Sequence, residues 1–134
     1  MDRIYVDTNV YLNLFKLEEG RWHNFTDVAV ELFNKVRQGE YTLVISDWVI
    51  KEFSKKRDRQ EIEKVLKEIS KDNLVEIETT VEDKQKARNI SSENYPDALH
   101  VVLAMKGKAI YLVTRDSDFE EFGNLIEIRF PEEL

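Results

Sequence analysis

Five short apolar runs, separated by stretches of helical periodicity, are the feature that most constrains what this 134-residue chain folds into. The first is Ile4-Tyr5-Val6. A run of β-branched and aromatic residues this short, without polar alternation, reads as a strand buried on both faces. Comparable strands are expected at 41–45, 74–77, 109–113 and 125–128. Strands alternating with helices imply right-handed crossovers and a sheet covered on both sides. The expectation is one α/β domain spanning residues 1–134, three layers deep, around a mainly parallel five-stranded sheet.

The intervening stretches carry helix signals. Thr8 and Asn9 are good caps for a helix over 10–16, and 18–21 reads as a loop. Residues 26–38 are apolar at helical spacing and end before Gly39. Ser46 caps a helix that starts at Asp47, and 60–70 is amphipathic. Thr80 and Asp83 form a capping box for a helix to about Asn89. Pro96 opens a helix to Lys106, ended by Gly107, and 116–122 is a short helix or turn.

The chain has no cysteine, so it builds neither a disulfide framework nor a thiolate metal site. It shows no secretory leader pattern and no apolar run of membrane-spanning length, which places it in the cytoplasm as an expectation. The net charge of −7 disfavours passive coating of nucleic acid. An enzyme that meets phosphates through bound cations escapes that argument, because the ions reverse the local field.

Four of the 27 acids stand where a solvated surface charge is awkward. Asp7 ends the first buried strand, where open α/β sheets place their ligand sites. Asp116 follows the fourth strand after Thr114 and Arg115. Asp118, two residues on, is a weaker candidate that suits a turn equally well. Glu52 shares a helix stripe with Trp48, Val49 and Phe53, and an unpaired carboxylate on a core-facing stripe costs several kcal/mol. Asp97 lies in the first turn of its helix, one turn before Val101; the helix dipole alone favours an acid there. If the four converge, each pair about 5 Å apart repels by roughly 3 kcal/mol at an effective dielectric near 20. Protonation, an entering Lys or Arg, or a cation must relieve that. An all-oxygen cluster suits Mg²⁺ or Mn²⁺, whereas zinc favours His or Cys ligands, and the sequence shows no such cluster. Carboxylates around a divalent ion are equipment for phosphodiester hydrolysis.

Asp7-Thr8-Asn9 after the first strand, Ser46 six residues before Glu52, Pro96-Asp97-Ala98-Leu99-His100 opening a helix, and Thr114-Arg115-Asp116-Ser117-Asp118-Phe119 after an apolar strand together resemble a PIN domain over essentially the whole chain. The resemblance implies a five-stranded parallel sheet and an endoribonuclease acting on single-stranded RNA with Mg²⁺ or Mn²⁺. It implies Asp7, Glu52, Asp97 and Asp116 as catalytic and metal-binding acids, Glu52 directly or through water, with Asn9 and Thr114 orienting them. Small proteins of this kind are often toxins of toxin–antitoxin pairs, which form homodimers and are blocked by an antitoxin protein. The 44 residues between Asp7 and Glu52 are a longer path than in many such toxins, which suits a stand-alone nuclease equally.

Lys51, Lys55, Lys56, Arg57 and Arg59 cluster beyond Glu52, either as a solvated helix end or as a phosphate-tracking rim. Arg115 reads equally as a phosphate contact or as an ion-pair partner. His100 is expected to be a satisfied structural histidine more than a ligand or proton shuttle, and His23 has no partner pattern. Tyr11, Trp22 and Phe25 read as core or dimer contacts rather than as a base-stacking platform. Two rivals compete with the nuclease. An aspartyl-phosphate phosphatase wants an acid where Asn9 stands. A catalytically silent PIN-like interaction module would not need all four acids.

Overall fold

In a computed structural model, residues 1–15 and 25–134 are described. The chain forms β1 (Arg3–Val6), α1 (Thr8–Asn13), α2 (Phe25–Arg37), β2 (Thr42–Ser46), α3 (Asp47–Ser54), α4 (Arg59–Lys67), β3 (Leu74–Ile77), α5 (Val81–Ile90), α6 (Tyr95–Lys106), β4 (Tyr111–Val113) and β5 (Glu127–Arg129). Short 3₁₀ turns occupy Lys71–Asn73, Ser117–Phe122 and Pro131–Glu133. The five strands run in the order β3-β2-β1-β4-β5, and every pairing is parallel. The sheet is therefore wholly rather than mainly parallel. Tyr5 faces Val44 of β2 on one side and Leu112 of β4 on the other. Strand order reverses at β1, so the gap between the carboxyl ends of β1 and β4 is the crevice where doubly wound sheets bind ligands.

Burial follows the sheet. Ile4, Tyr5, Val6, Leu43, Val44, Leu112 and Val113 are fully inaccessible, as strands with helices on both faces require. On one set of helices α1 packs on α2 and α3, and α3 on α4; separately, α5 lies along α6. α6 buries seven consecutive residues, Ala98 to Ala104, because α5 covers the side that the sheet does not. This explains a helix with almost no polar face.

The local signals hold in most places. Ser46 Oγ accepts the Val49 N–H, and Thr80 and Asp83 close a reciprocal capping box. Gly39 takes a φ of 83°, and the bonds Glu40 N–H to Lys35 O and Gly39 N–H to Val36 O complete a Schellman ending for α2. Several boundaries differ from expectation. α1 begins at Thr8, not Val10, with Asp7 in the cap position but making no side-chain cap bond. α4 stops at Lys67, and Ser70 caps the 3₁₀ turn that follows. β4 starts only at Tyr111, since the chain turns at Lys108 with φ 60°, and β5 starts at Glu127 because the Leu125 and Ile126 N–H groups both turn back onto Phe122 O. Gly107 ends α6 for a different reason than a left-handed cap. Its φ is ordinary, but a Cβ there would lie 2.4 Å from Val44 Cγ1, so the glycine lets the helix end touch β2. The expected loop at 18–21, Trp22 and His23 lie outside the described residues.

Candidate metal centre

The carboxyl end of β1 delivers Asp7 into the crevice, where its side chain is only 6% exposed. Thr114, the first residue after β4, donates from Oγ1 to Asp7 Oδ2 at 2.9 Å and accepts the Asp116 N–H at 3.0 Å. The Asp7 N–H bonds Val113 O, so strand pairing holds both residues in register. α3 brings Glu52 from the other side. One of its oxygens, Oε1, accepts from Thr8 Oγ1 and from His100 Nε2, each at 2.6 Å. His100 Nε2 also lies 3.6 Å from Asp7 Oδ1. Asp7, Glu52 and His100 thus present ligand atoms within 4.8 Å of one another.

A buried chain of hydrogen bonds stands behind this group. His100 Nδ1 is 2.7 Å from the Tyr5 hydroxyl, which is 2.7 Å from Ser46 Oγ. Because Glu52 can only accept, Nε2 carries a proton in either charge state of the ring. Tyr5 then serves Nδ1 as donor or acceptor as needed, and Ser46 completes the chain. A tyrosine in a doubly buried strand has to satisfy its hydroxyl, and that was the available signal for this relay.

The charges show how the cluster is balanced. Burial pushes the Asp7 carboxyl above the usual range, against the opposing pull of His100 and Thr114. Asp97, at the start of α6, is pushed up to about 6 by burial and by the charges of Asp7 and Asp116. For Glu52, burial is outweighed by the hydrogen bond and charge of His100, with Thr8 and Lys55, and its pKa is lowered. For His100, burial is likewise outweighed by Glu52 and Asp7, and its pKa is raised. With His100 already drawn in as counter-charge, two carboxyls still ionise with difficulty. A concentration of carboxylate of this kind accommodates a hard divalent cation.

Asp7, Glu52, Asp97 and His100 line one cavity of about 270 Å³, with Thr8, Asn9, Lys55 and Lys56 around it. Asp116 stands at its margin: it raises Asp97 electrostatically, but its Oδ1 caps the 117–122 turn by accepting the Asp118 N–H. Asp118 is exposed and does not line the cavity. Asn9 is exposed at the rim and, among the described residues, bonds none of the carboxylates; Thr8, its neighbour, does that work for Glu52. The expectation that no histidine stands in such a cluster is corrected by His100, whose Nε2 sits among the acids but bonds Glu52. It is satisfied as expected, but its partner is Glu52, and no sequence interval reveals that two residues on different helices meet.

The basic residues separate into two groups. Arg57 pairs with Glu61 and Arg59 with Glu63, each one helical turn on, as a solvated helix end does. Lys51 and Lys55 lie over the Trp48 ring at 5.8 and 5.9 Å, and Trp48 Nε1 donates to Pro96 O beside Asp97. Arg115 pairs with Glu132 and lies 3.9 Å from the Phe25 ring centroid. Tyr11 is core, packed on Phe33.

Residues 4–125 match the sequence profile of the PIN domain. The chain belongs to the PIN domain family. A search of curated proteins by sequence gives no match. Among solved structures, this PIN domain is similar to VapC20 of Mycobacterium tuberculosis, a toxin that cleaves the sarcin–ricin loop. The TM-score is 0.65 at 18% identity, over 94% of this chain and 98% of that one. It is also similar to VapBC2 of Rickettsia felis, solved bound to a DNA fragment from its promoter, with a TM-score of 0.63 at 18% identity, over 96% of this chain and 98% of that one. At that identity the likeness speaks for the fold alone.

Proposed function

We propose that this PIN domain is an Mg²⁺- or Mn²⁺-dependent endoribonuclease that hydrolyses phosphodiester bonds of single-stranded RNA in the cytoplasm. The observation that carries the reading is the opening of Asp7, Glu52 and Asp97, from β1, α3 and α6, into one cavity with Lys55 and Lys56 beside them. Those three carboxylates would hold the ion, with Asp116 supplying negative charge at the margin. A divalent cation bound there supplies Lewis-acid activation of water and neutralises phosphate charge. Thr114 keeps Asp7 aimed into the crevice, and Thr8 with His100 fixes one oxygen of Glu52 while leaving the other open to a ligand. Lys55 and Lys56 draw the phosphate toward an otherwise repelling pocket.

The resemblance to VapC20, a toxin, extends the proposal to a toxin of a toxin–antitoxin pair, working as a homodimer and held inactive by an antitoxin protein. The test is degradation of a mixed RNA pool with Mn²⁺. The parent digests it, chelator stops digestion, and D7N and D97N leave the RNA intact while remaining folded. RNA digested equally by D7N removes Asp7 from the site, and a parent inert with both ions leaves the interaction-module reading.

A further inference from the structure

Beside the acidic cavity lies a second one of about 430 Å³, and the two share Asn9, Leu12 and Lys56 in their walls. Its remaining wall is basic and aromatic, formed by Arg57, Arg115 and Phe25 together with Asn13. Arg57 is held by both oxygens of Glu61, at 2.9 and 3.1 Å, and lies over the Phe15 ring. Lys56 is exposed, and among the described residues it forms no ion pair. Arg115 is the most constrained of the three. Phe25 covers one face of its guanidinium, Glu132 takes Nη1 and Nη2, and its Nε is buried with no acceptor among the described residues. Asn13 Oδ1 is buried without a donor in the same way. Both residues line this cavity, and a buried donor or acceptor without a partner costs about 1–3 kcal/mol, so neither side chain is settled by the contacts it already has.

From this we infer that the second cavity is a subsite for the nucleotide next to the one being cut. A phosphate of the strand bonds the exposed Lys56 and takes the Arg115 guanidinium from Glu132, and the sugar or base of that nucleotide lies beside Asn13 and Phe25. The inference rests on the single-stranded RNA reading above and deepens it. A phosphate suits the site because guanidinium and ammonium groups outnumber the two carboxylates, Glu61 and Glu132, that pair with them. It also explains how a chain of net charge −7 holds a polyanion. The charge is segregated, with an acidic pocket for the cation and a basic one alongside for the strand. Glu132 competes with the strand for Arg115 and so tunes affinity downward.

The experiment measures fluorescence anisotropy of a labelled hexauridylate RNA with the full chain in chelator, where binding is read without cleavage. Lys56→Gln and Arg115→Gln are expected to weaken binding roughly fivefold or more. Each is expected to reduce the slope of log affinity against log salt by about 0.7, the value for one lost phosphate contact on a single strand. Glu132→Gln is expected to do the opposite, tightening binding roughly two- to fivefold by releasing Arg115 from an exposed ion pair. Thermal melts accompany each variant. If R115Q melts well below the parent, the test rests on K56Q, whose side chain is exposed, and on E132Q. Parent-like affinity and slope in K56Q, unchanged or weaker binding in E132Q, or no RNA binding by the parent overturns the subsite. A parent that binds as described but cleaves nothing with Mn²⁺ removes the nuclease reading and leaves the strand contacts of Lys56 and Arg115 standing without a cut beside them.

Discussion

Single side chains around Asp7 decide whether the pocket is a site or merely a cap. Thr114 Oγ1 donates to Asp7 Oδ2 while accepting from Asp116, so one hydroxyl sets the orientation of one acid and the position of another. Thr114→Val keeps the shape and removes both bonds. Removal of such an orienting partner typically costs 10–100-fold in metal affinity or activity, and that loss is expected in Mn²⁺ titration and RNA cleavage. Asp97 offers a test by pH. Its carboxyl titrates near 6 in the fold against an ordinary value of 3.8, so the folded state resists its ionisation. An acid raised on folding opposes stability above its unfolded pKa, and the penalty grows until pH passes its folded value. In chelator, therefore, D97N is expected to melt above the parent at pH 7.5 and to lose that advantage toward pH 4.5. Equal differences at both pH values would show that Asp97 is not strained by its neighbours.

At the scale of elements, the site depends on helices being carried to the sheet at set distances. α6 is the clearest case, since it holds Asp97 and His100 at one end and must pass its other end over β2. Gly107 permits that passage. Alanine there places a methyl 2.4 Å from Val44 Cγ1 and 3.3 Å from Ile77 Cγ1, neither of which is a flexible chain end. Overpacking of this kind typically costs about 1–3 kcal/mol. G107A should lower the denaturant midpoint by that measure, and V44A introduced with it should recover part of the loss. Arg3 adds a second tie, donating from Nη1 to the Gly107 carbonyl. α5 is fastened to α6 through Asp83, which closes its own capping box and accepts from Lys106 Nζ at 2.8 Å. Burial is outweighed there by these bonds, and the Asp83 carboxyl is held below its usual range.

For the whole molecule, the consequence is a fold that carries like charges in its crevice, which the proposed cation would offset. Linkage then predicts that Mn²⁺ stabilises the folded chain, by about 2.7 kcal/mol at a hundred times its dissociation constant. The melting temperature is expected to rise with Mn²⁺, to fall back with chelator, and to be insensitive to Mn²⁺ in D7N. A parent whose melting point ignores Mn²⁺ and Mg²⁺ would dissociate the acidic cavity from metal. Among the described residues, no helix is long and apolar enough to cross a membrane.

The sequence alone determined what depends on near neighbours along the chain. Short doubly apolar runs between helical stretches specify a parallel sheet, and Ser46, Thr80 with Asp83 and Gly39 mark helix ends through bonds that span only a few residues. What the tertiary structure decided is everything set by contact between elements. Thr8 and His100 meet on Glu52, Tyr5 connects His100 to Ser46, Gly107 is glycine because of Val44, and Asp116 caps a turn with one oxygen while its charge acts on Asp97. Arg115 likewise became a partner of Phe25 and Glu132. Such pairings are selected by packing and desolvation across dozens of residues, and these forces leave no spacing in a linear chain.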